Sequence, residues 1–271
     1  SDKTIQLKQF FILFIFLCFK LTSQVIFEEI RLPKEINETS GLEFIGSNIV
    51  TVNDSGGKPV LYEFNEKGEI LDRIKILDFD NNDWESLAVD DKYIYIADIG
   101  NNFSMRTNLS ILKIKLSDYK VEGKINFSYK DQNSFTPNPY GEFDAEGITC
   151  VDDKLILFSK NRKDLSTEVY LIEKSPGDYI IEKIGSFMVE GLITGADYNK
   201  DLNLMMLIGY DFSYNQFIIE LNNFSIDNID LLEPKKYLIP IAKAQMEGIK
   251  IIDKNTFWVS SEDESKNSFP R

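Results

Sequence analysis

A polar residue followed by a small one opens a short apolar strand five times along this chain. That repetition restricts the fold more than any other feature. The five segments are "TSGLEF" (39–44), "WESLAV" (84–89), "AEGITC" (145–150), "ITGADY" (193–198) and "MEGIKI" (246–251). Their anchors, Ser40, Glu85, Glu146, Thr194 and Glu247, lie 45, 61, 48 and 53 residues apart. The next positions are Gly41, Ser86, Gly147, Gly195 and Gly248, and small side chains at a repeated position imply close backbone approach.

A second apolar run follows each anchor segment: "NIVTVNDSGG", "YIYIADIGNN", "KLILFSKNR", "LNLMMLIGYD" and "TFWVSSEDE". Four units add a third run ("VLYEF", "LSILKIKL", "EVYLIEK", "QFIIEL") and a fourth ("EILDRIKI", "KINFSYK", "YIIEKIGSF", "KKYLIPI"). Short β-branched and aromatic runs separated by Gly, Asn and Asp read as antiparallel strands. Four such strands at this period predict the blades of an all-β propeller, five in number. The opening run "VIFEEIRL" (25–32) is expected to join the incomplete fifth blade and close the ring, because an open ring leaves long sheet edges exposed. A two-sheet sandwich is the alternative, but it predicts no repeated anchor.

The first 24 residues stand apart. A lysine-bearing start, the run "FFILFIFLCF" and the polar "KLTSQ" have the layout of a secretory signal peptide, too short in its apolar part to span a bilayer. Residues 25–271 are then expected to form one propeller domain, secreted, periplasmic or at the cell surface, with no stable membrane span and as a monomer. Only Cys150 remains in that span, which leaves no intramolecular disulfide.

The chain has 44 acidic and 30 basic residues, a formal charge of −14, and no histidine. Such a balance offers no basic surface for nucleic acid. The absence of histidine excludes Ser-His-Asp triads and His-ligated zinc.

The combination "DWESLAV…YIYIADIGNN", with "ETSGLEF…NDSGG" before it and "FDAEGI" after it, resembles a group of secreted bacterial β-propeller proteins of largely unassigned function. That group is distantly similar to the superfamily of lactonase, strictosidine-synthase-like and phytase-like esterase propellers. The resemblance spans nearly all of residues 25–271 and implies a propeller. It identifies no chemistry, and the enzymatic relatives have six blades, which keeps six possible here.

Blade topology converts spacing into geometry. If first strands start at one face, second strands end there, so anchors and second-strand exits meet at one mouth of the central channel. The mouth is expected to gather Glu85, Glu146 and Glu247 with Asn53, Asp54, Asp98, Asn101, Asn161, Asp211 and Glu262. Asp83 and Asp144 precede their glutamates by two residues and share their face. Crowded carboxylates call for a cation or hydrogen-bond donors. Oxygen ligands without His suit Ca2+, with Glu85, Asp98, Glu146 and Glu247 as the candidate ligands. The competing reading gives the same Asp, Asn and Gly residues to turns and the glutamates to channel lining.

Asp54, Trp84, Asn101, Asn161, Arg162 and Asp211 are candidates for ligand contact. Trp84 fits equally an inter-blade core position, and Arg162 with Lys160 fits neutralisation of neighbouring acids. Glu85 and Glu146 are the candidate catalytic carboxylates. Two functions follow. One is a binding or scaffold module that recognises a small molecule, glycan or protein at the mouth, with Ca2+ as the cofactor that the carboxylates admit. The other is a metal-supported hydrolase of an ester, lactone or phosphate.

Overall fold

The computed structural model describes residues 28–241 and 244–262. Blade one contains β1 (Thr39–Ile45), β2 (Asn48–Asn53), β3 (Val60–Phe64) and β4 (Ile70–Lys75). Blade two contains β5 (Trp84–Val89), β6 (Tyr93–Asp98), β7 (Ser110–Lys115) and β8 (Val121–Tyr129). Blade three begins with β9 (Ala145–Val151), β10 (Lys154–Ser159) and β11 (Ser166–Glu173); β12 (Gly177–Ile181) and β13 (Lys183–Met188) follow. Blade four contains β14 (Leu192–Asn199), β15 (Leu204–Tyr210), β16 (Gln216–Asn222) and β17 (Lys235–Leu238). Among the described residues the fifth blade has two strands, β18 (Met246–Ile251) and β19 (Phe257–Ser261).

Within each blade, consecutive strands pair antiparallel, and the first strands contact one another in cyclic order from β1 through β5, β9, β14 and β18 back to β1. The propeller expected from the repeat is therefore observed. The inner two strands of each blade read as continuous apolar runs because neighbouring blades cover both their faces. β6 and β10 are buried at every position but their first. Outer strands such as β8 alternate buried and exposed, as strands with one solvated face do.

The repeated small residue makes the ring tight. A Cβ added to Gly195 would lie 2.9 Å from the Glu247 carbonyl oxygen, so β14 and β18 touch backbone to backbone. Gly41 brings blade one against blade two. Its φ of +73° lies in the left-handed region, and an added Cβ would lie 2.7 Å from the Leu87 backbone nitrogen.

A second repeated device sits one position earlier. In blades two to five the anchor is the extra residue of a β-bulge: Glu85 falls between the pairs Trp84–Asp98 and Ser86–Ala97, and Glu146, Thr194 and Glu247 occupy the same place. A bulge re-aims the side chain of its extra residue and ends regular pairing. In blade one the irregularity lies between Ser40 and Glu43, past the anchor.

Two expectations are corrected. "YIIEKIGSF" is not one strand: β12 leaves its own blade and pairs parallel with β8 of blade two, and β13 returns to pair with β11. Tyr179 and Ile181 thereby pack against the Ile125–Phe127–Tyr129 core. In the N-terminal run, residues 28–32 take no strand pairing, and 25–27 lie outside the described residues. Leu32 instead buries against Ile36, Leu42 and Phe64, and residues 28–32 flank an apolar hollow of about 150 Å3 beside β19. Residues 1–24, read above as a secretory signal, also lie outside the described residues. Among those described, no helix is long and apolar enough to cross a membrane.

Beneath the anchors, the positions three residues on (Glu43, Ala88, Thr149, Asp197, Lys250) form a second layer. Lys250 Nζ lies 2.7 Å from Glu43 and 2.9 Å from Asp197, and the Ile251 amide donates to Asp197 at 2.7 Å. This buried cluster ties the fifth blade to blades one and four.

Candidate functional site: the acidic channel mouth

Three carboxylates converge at one corner of the mouth. Asp54 leaves the end of β2, Asp83 precedes β5, and Glu85 is the bulged anchor of β5; one oxygen of each lies within 4.8 Å of the other two. The local sequence explains the convergence. The Ile99 and Gly100 amides both donate to the Asp83 carbonyl, at 3.1 and 3.2 Å, so the "DIGNN" exit of β6 folds back over the strand start. A Cβ on Gly100 would collide with Glu85 Oε1 and Asp83 Oδ2. Only glycine there leaves room for both carboxylates.

Burial and crowding set the protonation of this corner. Burial, then the neighbouring charges of Asp54, Asp144 and Asp98 against that of Arg106, push Asp83 up to about 7. Burial pushes Asp54 upward too, opposed by hydrogen bonds that include one from Asp83. Glu85 is 5% exposed and rises well above the ordinary carboxylate range, through burial first and then the charges of Glu146 and Asp54. No hydrogen-bond donor among the described residues reaches its carboxylate.

The adjoining anchor, on blade three, already holds a cation. Lys160 follows β10, and its Nζ lies 2.7 and 2.6 Å from the two oxygens of Glu146, with both side chains buried. Burial pushes Glu146 up to about 7 even though Lys160 draws it down, while Glu146 and Glu247 hold the lysine charged. Glu247 has no donor among the described residues, and burial with the charges of Glu146 and Glu262 raises it against the pull of Lys160. Glu262, at the end of β19, is pushed up to about 8 by burial and then by Asp54 and Glu38.

Spacing brought Glu85, Glu146, Glu247, Asp54, Asp83 and Glu262 to the mouth, and the structure places them there. The other candidates have intramolecular partners. Asp98 accepts from Arg106 at 2.7 Å, Asn82 at 2.8 Å and the Asp83 amide at 3.2 Å, so it braces the Asp83 segment and does not face Glu85 across the channel. Arg162 pairs with Asp144 and reaches Asn102 at 2.6 Å, the neutralising role. Trp84 is fully enclosed in the core between blades one and two and offers no ring face to a ligand.

Asn101 receives the Met105 and Arg106 amides and donates to the Phe143 carbonyl, stapling two loops together. Asn161 is wholly buried against Ser166 and Glu168. Asp211 receives the Ser213 and Asn215 amides and so closes its own turn. These three side chains brace turns and loops, which is the turn and core reading of the same residues.

Spacing alone missed Gly100, Arg106 and Tyr210. Tyr210 ends β15 with its hydroxyl 3.0 Å from Gln245 and its ring centroid 5.5 Å from Lys160 Nζ. Its position at a second-strand exit is the signal that could have found it.

No protein-family model matches the chain, nor does any curated protein sequence. Among solved structures, glutaminyl cyclase of Myxococcus xanthus aligns over 88% of this chain and 91% of its own at 10% identity, with a TM-score of 0.52. The PQQ-bound aldose sugar dehydrogenase of Streptomyces coelicolor covers 86% of this chain and 92% of its own at 9% identity, with a TM-score of 0.49. At such identity the first likeness speaks to fold alone, and it places the chain among β-propeller-type proteins.

Proposed function

We propose that this chain is a binding β-propeller that takes a divalent cation, Ca2+, at the Asp54–Asp83–Glu85 corner of its channel mouth, where the ion forms part of a ligand site. The observation that carries this reading is the convergence of three carboxylate oxygens with a buried, donorless Glu85 among them. Three like charges so close in a low-dielectric site stay ionised only with a cation present. Hard oxygen ligands without histidine match Ca2+. Glu146 and Asp98 belong to the expected ligand set but have cations of their own, Lys160 and Arg106. That division favours Asp54 and Asp83 beside Glu85.

Terbium replaces Ca2+ at oxygen sites, and Trp84 lies next to Glu85 in sequence. Indole-sensitised terbium emission that Ca2+ quenches, and that D83N and E85Q lose, is the expected result. Emission absent in the wild-type protein, or unchanged in both variants, refutes the assignment.

A second reading is a metal-supported hydrolase of an ester, lactone or phosphate. In it Asp54 and Asp83 alone would hold the ion, and Glu85, which burial raises well above the ordinary carboxylate range, would serve as the general acid next to it. Turnover of chromogenic esters, lactones or phosphates that Ca2+ supports and EDTA abolishes would establish it, and none is expected for a binding module.

A further inference from the structure

The ion corner is drawn from two blades, and one side chain outside it ties the two halves together. We propose that Asn81 is a positioning residue that sets the corner's preference for Ca2+ over Mg2+, by holding Asp54 of blade one at a fixed separation from Asp83 and Glu85 of blade two. The proposal rests on the reading of that corner as an ion site and assigns it a determinant of specificity.

Three observations carry it. First, Asn81 is buried, and its side-chain amide donates across the blade boundary twice: Nδ2 reaches the Asn53 carbonyl at 2.8 Å and the Asp54 carbonyl at 2.9 Å. Its Oδ1 accepts from the Trp84 amide at 3.0 Å, and Trp84 stands between Asp83 and Glu85 in the chain. One planar group thus fixes the backbone beside all three carboxylates, and a carboxamide supplies the donors and the acceptor together. Second, room for it is built in. A Cβ on Gly57 would lie 3.3 Å from Asn81 Nδ2 and 2.9 Å from the Asp54 carbonyl oxygen. Third, the blades do not need this clip for cohesion, because Val52, Leu61, Trp84 and Leu87 already pack them together.

Ion chemistry turns the clip into selectivity. Ca2+ takes about six to eight oxygens, whereas Mg2+ keeps several of its waters and uses fewer carboxylates. Asp83 and Glu85 share one strand start and stay together without Asn81; Asp54 arrives from the other blade. Releasing Asp54 therefore costs Ca2+ more than Mg2+, since an unheld carboxylate must be ordered when the ion binds.

The test is calorimetric titration of the wild-type protein, N81S and N81D with CaCl2 and with MgCl2. N81S keeps a short hydroxyl near the Trp84 amide and loses the reach to blade one. It is expected to weaken Ca2+ about tenfold and Mg2+ less than about threefold, which narrows the ratio. N81D sets a carboxylate oxygen against the two carbonyls and should weaken Ca2+ at least as much, although its added charge alone would strengthen binding. K250M, a destabilising change in the second layer, is expected to leave the ratio unchanged, which separates positioning from loss of stability. A wild-type protein that binds no Ca2+ at millimolar concentration overturns the ion reading and this inference with it. Equal wild-type affinity for the two ions, an unchanged ratio in N81S, tighter Ca2+ binding by N81D, or an equal narrowing in K250M overturns this inference alone.

Discussion

Lys160→Met tests whether the mouth is built from matched charges. The substitution keeps the length of the side chain and removes the ammonium that lies 2.7 and 2.6 Å from the Glu146 oxygens. Both side chains are almost wholly buried, at 7% and 2% exposure, so water cannot replace the lost partner. Breaking a buried pair from one side costs about 3–5 kcal/mol. Arg162, 3.9 Å from Glu146 Oε1, retains part of the compensation and puts the expectation near about 3 kcal/mol. For a domain of this size, that lowers the melting temperature by about 6–12 °C.

The deficit carries a pH signature. Without Lys160, the folded-state pKa of Glu146 rises further above its unfolded value. The variant therefore keeps its stability in acid and loses it as pH rises. Melting curves at about pH 5 and about pH 8 should show the larger deficit at the alkaline end. The double variant K160M/E146Q removes the orphaned charge and should regain at least half of the loss. A K160M protein within about 0.5 kcal/mol of wild type at about pH 8 would refute the reasoning, as would a double variant as unstable as the two single losses added.

Other expectations follow from the same geometry. Gly100→Ala drives a methyl group into Glu85 and Asp83; it should cost about 1–3 kcal/mol and abolish cation binding, read by thermal melts and calorimetry. The cation-free protein should lose stability between about pH 5 and about pH 8, because Asp83 and Glu262 hold protons in the fold at pH values where the unfolded chain has released them. Saturating Ca2+ should flatten that loss in a pH series of melts, since the ion replaces the protons. Lys250→Met should cost about 3–5 kcal/mol in chemical denaturation by stranding Glu43 and Asp197 in the second layer.

The legibility of this molecule in its sequence tracks burial. The inner strands of all five blades follow the quoted runs closely, because both faces are covered and a continuous apolar stretch admits one reading. The outer edge was less legible. In "YIIEKIGSF" the same half-exposed alternation serves two sheets, and nothing local says that β12 pairs with blade two. The anchor repeat announced that something recurs at Glu85, Glu146 and Glu247. It did not reveal a bulge, since register is a property of two strands and not of one.

Spacing also delivered most of the mouth carboxylates but could not pair them with cations. Glu146 with Lys160 is an interval of 14 residues, whereas Asp98 with Arg106 depends on how the loop after β6 folds. Trp84 shows the same limit: its neighbour Glu85 turns into the channel by virtue of the bulge, while Trp84 stays in the sheet register and enters the core.

The central claim is that one corner of an acidic mouth is made for a divalent ion, and titration calorimetry tests it most directly. Ca2+ added to the wild-type protein should bind with one-to-one stoichiometry, and proton release should grow as pH falls toward about 7, where Asp83 titrates. D54N and D83N should each abolish most of that heat, while Arg162→Lys should leave it intact. No Ca2+ heat in the wild-type protein at millimolar concentration, or heat undiminished from wild type in both D54N and D83N, would contradict the account.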